Sequence, residues 1–204
     1  MVQGRKIRKK KPKIIRTEIT GLTLPVDTKR DHIQGQDKAP ITLVEYGDYE
    51  CPFCGQAYPI IKKIQELLAD RLRFAFRNFP MSQVHPHAEN AAEAAEAAGA
   101  QGKFWEMHDY LYENQQALDD EYLEQYANSL GLEIVRFRQE MYAHAYSERV
   151  REDFLSGIYS GVNGTPTFFI NGIRYDGSWD FRTFFATLEQ VLEGEANSIE
   201  EVRF

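Results

Sequence analysis

The hydrophobic pattern between residues 41 and 78 predicts a strand, a helix and a second strand. Residues 41–46 (ITLVEY) are apolar almost throughout, which is typical of a central strand covered on both faces. Residues 56–70 repeat apolar side chains at spacings of three and four, the period of a buried helix face, and Pro59 within this run is expected to kink the helix. Apolar residues alternate with polar or small ones over 72–78, which predicts a half-buried strand. Strand, helix and strand in this order predict a parallel pair.

Residues 80–161 carry no strand pattern and predict a helical insertion. Alanine dominates His87–Ala100, and alanine is the strongest helix former. Four more helical runs follow: residues 104–112, 118–130, 134–141 and one that starts at Ser147, which we expect to cap it. His108 lies on the apolar face of one of these runs, and we interpret it as a core histidine rather than a ligand.

Strand patterns return at residues 167–170. Asn171-Gly172 is a strong two-residue hairpin signal, so residues 173–175 are predicted to pair back onto the preceding strand. Residues 180–193 then show the spacing of a closing amphipathic helix. Before the first central strand, residues 17–24 resemble an edge strand.

Charge is distributed unevenly along the 204 residues, whose formal net charge is −7. Residues 1–16 hold eight of the 24 basic residues and no acid, so the rest of the chain is acidic and is expected to repel nucleic acid. The basic arm has two interpretations: a solvated tail, or an anchor for nucleic acid or anionic lipid. No apolar stretch long enough for a signal peptide or a membrane span follows it. We therefore expect a cytoplasmic protein, or a periplasmic or exported one if a leader has been removed.

The two cysteines of the chain are Cys51 and Cys54, in the sequence Cys-Pro-Phe-Cys at the junction of the first strand and helix. This spacing at this place predicts a redox dithiol. A helix N-terminus stabilises a thiolate, and Pro52 suits the first turn, so Cys51 is predicted to attack and Cys54 to resolve. The alternatives are two apolar fillers or a zinc site. Zinc needs about four ligands, and the remaining ligand-like pattern is His85-Pro86-His87.

Glu45 lies six residues before Cys51 in the predicted central strand. A carboxylate in such a strand is costly unless it is paired or hydrogen-bonded. Two interpretations stay open on the pattern alone: a solvent-facing residue at the strand end, or a buried proton carrier beneath the thiols.

Taken together, these motifs resemble the DsbA-like branch of the thioredoxin superfamily. The matching segments are residues 31–35 (DHIQG), 45–54 (EYGDYECPFC), 76–80 (FRNFP) and 164–172 (GTPTFFING). The resemblance implies an α/β thioredoxin fold, a central mixed sheet flanked by helices, with a helical insertion. It also implies a thiol–disulfide oxidoreductase whose Cys51 is the nucleophile and whose Cys54 is the resolving thiol.

The resemblance assigns roles to further residues. Thr165-Pro166 would carry a cis peptide bond facing the thiols, although an X-Pro bond taken alone is usually trans. The Thr165 backbone would pair with a substrate segment as an added strand. Glu45 would be the buried acid beneath the dithiol. Phe53 departs from the histidine that exported oxidants of this branch place between their cysteines, so we expect a weaker oxidant.

The expected reaction is exchange of electrons with protein or small-molecule disulfides through a mixed disulfide. The sequence has no signature of a nicotinamide, flavin or metal site, so we expect no cofactor. We expect protein substrates and a redox partner of the glutathione or thioredoxin type, with no nucleic acid and no membrane span. Two alternatives stay open: a non-catalytic peptide-binding module, and a glutathione-dependent transferase or isomerase on a related fold.

The sequence thus predicts the following organisation. Its parts are a disordered basic arm (1–16), an N-terminal strand and linker (17–40), a thioredoxin-fold domain (41–79 and 162–193), a helical insertion (80–161) and an acidic tail (194–204).

Overall fold

The structure, a computed structural model, describes residues 21–201 and the side chains of residues 21–194. Its sheet has five strands: β1 (His32–Gln34), β2 (Ile41–Gly47), β3 (Leu72–Asn78), β4 (Thr167–Ile170) and β5 (Ile173–Tyr175). Their order across the sheet is β1-β3-β2-β4-β5. Strands β2 and β3 are parallel and the other three pairs are antiparallel. The predicted fold class, a mixed sheet flanked by helices, is confirmed.

Seven α-helices lie among residues 21–201. They are α1 (Pro52–Leu68), α2 (Ala88–Gly99), α3 (Phe104–Glu113), α4 (Asp120–Ser129), α5 (Ile134–Tyr142), α6 (Ser147–Tyr159) and α7 (Phe181–Glu201). Helices α2–α6 follow β3 and precede β4, where the sequence predicts the insertion. Within these described residues, no helix combines the length and apolar character that a membrane crossing requires.

Three predicted boundaries need correction. Ser147 is the first helical residue of α6, and its neighbour Tyr146 occupies the N-cap without a side-chain hydrogen bond, so the predicted serine cap is wrong. Helix α7 continues to Glu201, past the end predicted near residue 193. The linker predicted for residues 25–40 contains β1, which is too short to show a period of its own.

The predicted N-terminal strand falls only partly within the description. Gly21 forms a single antiparallel bridge with Ile173 of β5, and residues 22–24 form no strand. Residues 17–20 lie outside the described part of the chain. So do the basic arm predicted for residues 1–16 and the last three residues of the predicted acidic tail.

Strand β2 is the middle strand, and its alternate side chains point to opposite sides of the sheet. Ile41 and Leu43 face the larger core, which includes apolar residues of α1, α3 and α7. Val44 and Tyr46 face a smaller core. Glu45 and Gly47 continue the row of Ile41 and Leu43, so both lie on the side of the sheet that α1 covers.

Strand β3 is buried on both faces, which corrects the prediction of a half-buried strand. Arg77, at a position expected to face solvent, is fully buried. Its guanidinium donates to the Tyr46 hydroxyl and to three residues within 22–31, which we call the crossing segment. Local periodicity missed this burial because the partners that permit it lie far away in the sequence.

The crossing segment runs from one edge of the sheet to the other, because Gly21 pairs with β5 and His32 pairs with β3. Leu22 and Val26 contact the smaller core. The backbone N–H of Thr23 donates to Ser160 at the end of α6 over 3.0 Å. This segment and α6 therefore cover the face of the sheet opposite α1.

Candidate active site

Cys51 occupies the N-cap of α1, and Pro52 is the first residue of the helix. The N–H of Cys51 donates to the carbonyl of Asp48 over 3.1 Å, which closes a turn just before the helix. Cys54 follows one helical turn later, and both cysteines are free thiols. Strand β2 and helix α1 thus hold the two sulfurs together at the end of the central strand.

The environment of Cys51 favours its thiolate. Its pKa is lowered to about 5 by a hydrogen bond from the Cys54 thiol, by a hydrogen bond with the side chain of Thr165 and by the backbone N–H groups of Cys54 and Phe53, against the opposing effect of burial. The residue is only 4% exposed. Cys51 is therefore a thiolate at neutral pH, as its position at a helix N-terminus predicts.

Cys54, in contrast, remains a protonated thiol. It is fully buried, and burial, the hydrogen bond to Cys51 and the negative charges of Glu45 and Cys51 together raise its pKa well above the ordinary value. Two thiols one turn apart are thereby separated into a reactive anion and a protonated neighbour.

Glu45 is buried beneath the dithiol at 2% exposure, so the solvent-facing interpretation is wrong. Burial, followed by the negative charge of Cys51, raises its pKa to about 8. Its Oε1 has no hydrogen-bond partner among residues 21–194. The carboxyl group therefore holds its proton at neutral pH beneath the thiols.

The loop before β4 lies against Cys51. The Cys51 sulfur is 3.4 Å from the carbonyl oxygen of Thr165, to which the thiol form donates. The Thr165–Pro166 peptide bond is cis, as the resemblance implies. The Thr165 hydroxyl donates to the sulfur of Met81 over 3.8 Å. Phe53, in the first turn of α1, is 59% exposed.

Sequence reasoning missed Gln115, which lies just beyond α3. Its amide nitrogen donates to the carbonyls of Tyr49 over 2.8 Å and of Cys51 over 2.9 Å. The lack of a side chain at Gly55 leaves room for this amide, because a Cβ atom there would clash with it. The insertion therefore fixes the backbone around the nucleophile through a residue with no sequence motif of its own.

The histidines take structural partners. The ring of His108 is buried and bonded to the Tyr49 hydroxyl at 3.1 Å, which confirms its interpretation as a core residue. His85 and His87 each contact a different carboxylate, Asp48 and Glu50. Within the described residues, no group of three or more histidines, cysteines or carboxylates is arranged to hold a metal ion.

Comparison with solved structures places this arrangement in a known fold. Oxidised BdbD from Bacillus subtilis superposes with a TM-score of 0.75 at 24% identity, covering 86% of this chain and 98% of that protein. Alpha-DsbA1 from Wolbachia pipientis superposes with a TM-score of 0.75 at 20% identity, covering 87% of this chain and 98% of that protein. At these identities the likeness establishes the fold.

Curated relatives are more similar in sequence but much longer. A protein named Na(+)/H(+) antiporter NhaA 1 from Salinispora arenicola is 46% identical over 178 residues, which are 86% of this chain and 27% of that protein. The Na(+)/H(+) antiporter NhaA of Herminiimonas arsenicoxydans is 43% identical over 170 residues, 83% of this chain and 27% of the relative. The chain thus spans about a quarter of the length of these relatives.

A family model described as Thioredoxin matches residues 27–190, a range that contains the dithiol, the insertion and the Thr165–Pro166 loop. The chain therefore belongs to the thioredoxin family, and its fold is that of the DsbA-like branch.

Proposed function

We propose that the protein is a thiol–disulfide oxidoreductase that exchanges electrons between the Cys51–Cys54 dithiol and disulfides of proteins or small molecules. One observation carries the proposal: the pKa of Cys51 is lowered to about 5, while that of Cys54 is raised well above its ordinary value. The thiolate is the form that attacks a disulfide. One cysteine is therefore ready to attack while its neighbour stays protonated.

The reaction proceeds in two exchanges. The Cys51 thiolate attacks one sulfur of the substrate disulfide, forms a mixed disulfide and releases the other substrate sulfur as a thiolate. Cys54 then loses its proton and attacks the Cys51 sulfur. This second exchange forms the Cys51–Cys54 disulfide and releases the second substrate thiolate. Two electrons have moved to the substrate, and the reverse sequence oxidises a substrate dithiol.

We propose that Glu45 is the base that accepts the proton of Cys54. Its charge is one cause of the raised pKa of Cys54, so the two groups interact. A carboxyl group with a pKa of about 8 is poised to exchange a proton near physiological pH. Loss of the Cys51 negative charge in the mixed disulfide lowers the pKa of Glu45, because that charge helps to raise it. In the mixed disulfide the carboxyl group therefore releases its proton to solvent, and the resulting carboxylate accepts the proton of Cys54.

An extended substrate segment is proposed to pair with the backbone of Thr165. This residue is partly exposed and its carbonyl lies 3.4 Å from the attacking sulfur, so a strand added there would present its disulfide to Cys51. Pro166 holds the loop in this position. Pro52 and Phe53 follow the nucleophile in the first turn of α1, and the exposed ring of Phe53 offers an apolar contact.

Trapping the mixed disulfide tests the reaction. In Cys54→Ser the second exchange is blocked, so a peptide with one internal disulfide should form a covalent adduct that reductant releases. Cys51→Ser with the same peptide is the matched control and should form none. Absence of an adduct in Cys54→Ser, with no oxidation of the wild-type dithiol by the peptide, contradicts the proposal.

The setting and direction of exchange form part of the proposal. We propose a cytoplasmic setting, where a glutathione poise of about −220 to −320 mV keeps the dithiol largely reduced and favours reductase or repair activity. Equilibration of Cys51 and Cys54 with mixtures of reduced and oxidised glutathione measures their potential. A dithiol that stays oxidised across this range contradicts a glutathione-coupled reductase.

The curated relatives favour a second candidate, because they are named as Na(+)/H(+) antiporters. In this alternative the domain is a non-catalytic interaction module that acts on such an antiporter, and its dithiol is idle. Sodium–proton exchange would be measured in vesicles that contain one of these relatives without its matching region, with wild-type or Cys51→Ser protein added. An equal change in exchange with both proteins supports the module, and a change that needs Cys51 supports the oxidoreductase.

A further inference from the structure

Two histidine–carboxylate pairs connect the loop after β3 to the residues just before Cys51. The His85 Nδ1 donates to Oδ2 of Asp48 over 2.8 Å, and the His87 Nδ1 donates to Oε1 of Glu50 over 2.9 Å. Both histidines belong to the His85-Pro86-His87 run that stands out in the sequence as a ligand-like pattern. Neither enters the exchange reaction described above.

Asp48 is the centre of the first pair and is only 1% exposed. Its Oδ2 also accepts the backbone N–H of Met81 over 2.8 Å, and its Oδ1 accepts that of Glu50 over 2.8 Å. Its carbonyl accepts the N–H of Cys51 over 3.1 Å. Asp48 therefore fixes the turn that carries the nucleophile, and His85 is the histidine bound to this buried carboxylate.

His85 also interacts electrostatically with Cys51. Burial lowers its pKa, but the hydrogen bond and charge of Asp48, followed by the charges of Cys51 and Glu50, raise it overall. An interaction by which the thiolate favours the imidazolium must, by reciprocity, let the imidazolium favour the thiolate. The groups facing Cys51 on its own element are the Cys54 thiol and the backbone N–H groups of α1, so the protonated form of His85 adds a positive charge from a different part of the chain.

We propose that His85 is a positioning residue for Cys51: it holds Asp48 in the turn before the nucleophile and contributes the positive charge that Phe53 does not supply from within the Cys-Pro-Phe-Cys sequence. This inference rests on the proposed function and adds a residue to it. Phe53 occupies the position between the cysteines, so His85 stabilises the Cys51 thiolate from outside the Cys-Pro-Phe-Cys sequence. His87 is more exposed and its pKa responds first to Glu50, so it is assigned no such role.

Two substitutions of His85 separate hydrogen bonding from charge. His85→Asn keeps an N–H group near the place of Nδ1 and removes the charge, and His85→Ala removes both. His144→Asn is the matched control, since His144 binds the buried Glu93 over 2.9 Å and its pKa responds to Glu93, Glu89 and Asp120 rather than to Cys51. The ultraviolet absorbance of the thiolate is followed against pH in each reduced protein.

In His85→Asn the ratio of Cys51 thiolate to thiol should fall about threefold at any pH near the midpoint, as expected for loss of a nearby, partly screened charge. His144→Asn should match the wild type. His85→Ala should show at least the effect of His85→Asn, and if it does not fold, His85→Asn alone decides. An unchanged midpoint in His85→Asn overturns the inference.

A second measurement uses the reciprocal effect and needs no substitution. The His85 imidazole is titrated by NMR in the dithiol form and in the Cys51–Cys54 disulfide form of the wild type. Its pKa should be higher in the dithiol form, where the thiolate is present, while that of His144 should not change. Equal His85 values in both forms overturn the inference. Absence of an adduct in Cys54→Ser, with no oxidation of the wild-type dithiol by the peptide, refutes the proposed function instead, because both titrations proceed without a substrate.

Discussion

Arg77 and Asp31 form a bidentate salt bridge in the protein interior. The Arg77 Nε donates to Oδ1 of Asp31 over 2.8 Å, and its Nη2 donates to Oδ2 over 3.0 Å. Both side chains are fully buried. Burial opposes ionisation of Asp31, but the hydrogen bond and charge of Arg77 hold its pKa below the ordinary value. The pair joins β3 to the crossing segment.

Replacement of Arg77 by methionine should lower the free energy of unfolding by about 3–5 kcal/mol, because it leaves the buried Asp31 carboxylate without its main partner. Urea unfolding of the two proteins measures the difference. Arg182→Met, at an exposed position of α7, is the control and should change stability by about 0.5 kcal/mol or less. A similar small effect of both substitutions would contradict this account of the pair.

Replacement of Cys54 by alanine should raise the pKa of Cys51. The hydrogen bond from the Cys54 thiol is the largest cause of the low value of about 5, and alanine cannot provide it. We expect an increase of about one unit or more, measured by thiolate absorbance, with the helix N-terminus retaining part of the stabilisation. A midpoint that stays near 5 would show that the helix backbone alone sets the acidity.

Glu45→Gln should stabilise the protein at high pH. The pKa of Glu45 is raised to about 8 from an ordinary value of 4.5, so the folded carboxyl keeps its proton while the unfolded one loses it. The stability associated with the protonated group is therefore complete below about pH 4.5 and is lost as the pH rises through 8. The neutral amide avoids this loss.

Urea unfolding at pH 5 and pH 9 tests the effect of Glu45. The variant should gain on the order of 3 kcal/mol relative to wild type between the two values. The same comparison in the disulfide form should show a smaller gain, because the Cys51 charge then no longer acts on Glu45. A gain that does not depend on pH would contradict the buried-acid explanation.

Tyr112→Phe should raise the free energy of unfolding by about 1 kcal/mol. The Tyr112 hydroxyl is buried and has no hydrogen-bond partner among residues 21–194, and an unsatisfied buried polar group is destabilising. Tyr58→Phe is a close control, since its ring lies 5.3 Å from that of Tyr112 but its hydroxyl donates to Glu113 over 3.2 Å. Tyr58→Phe should leave the free energy of unfolding unchanged or lower it slightly. Equal changes in the free energy of unfolding in the two variants would contradict the argument.

Residues with local signals were predicted well. Strands β3, β4 and β5 have the predicted limits because turns and apolar runs mark them in the sequence. Cys51 stands at the predicted helix start because that junction depends only on its neighbours. The hairpin at Asn171-Gly172 follows from the same kind of short-range signal, since both residues have positive φ.

The residues that hold the site in place contact partners far away in the sequence, and the sequence patterns did not predict them. Local alternation predicts that Arg77 is exposed, but the crossing segment packs over it and buries it. Gln115 is one amide among many, and only the packing of the insertion brings it to Cys51. His85 was noted as a possible ligand, whereas its partner Asp48 lies 37 positions earlier in the chain. Such pairings depend on the assembled fold rather than on sequence patterns.

The crossing segment has no regular secondary structure, yet its neighbours Gly21 and His32 attach it to both edges of the sheet. The carbonyls of Leu24 and Pro25 accept hydrogen bonds from Arg77, so the crossing segment is also attached to the middle of the face that it covers. Proteolysis or an insertion within it would expose that face to water and leave the Arg77 guanidinium without these acceptors. A stretch that looks like a tolerant loop is therefore a poor place for a tag, a cut or a circular permutation.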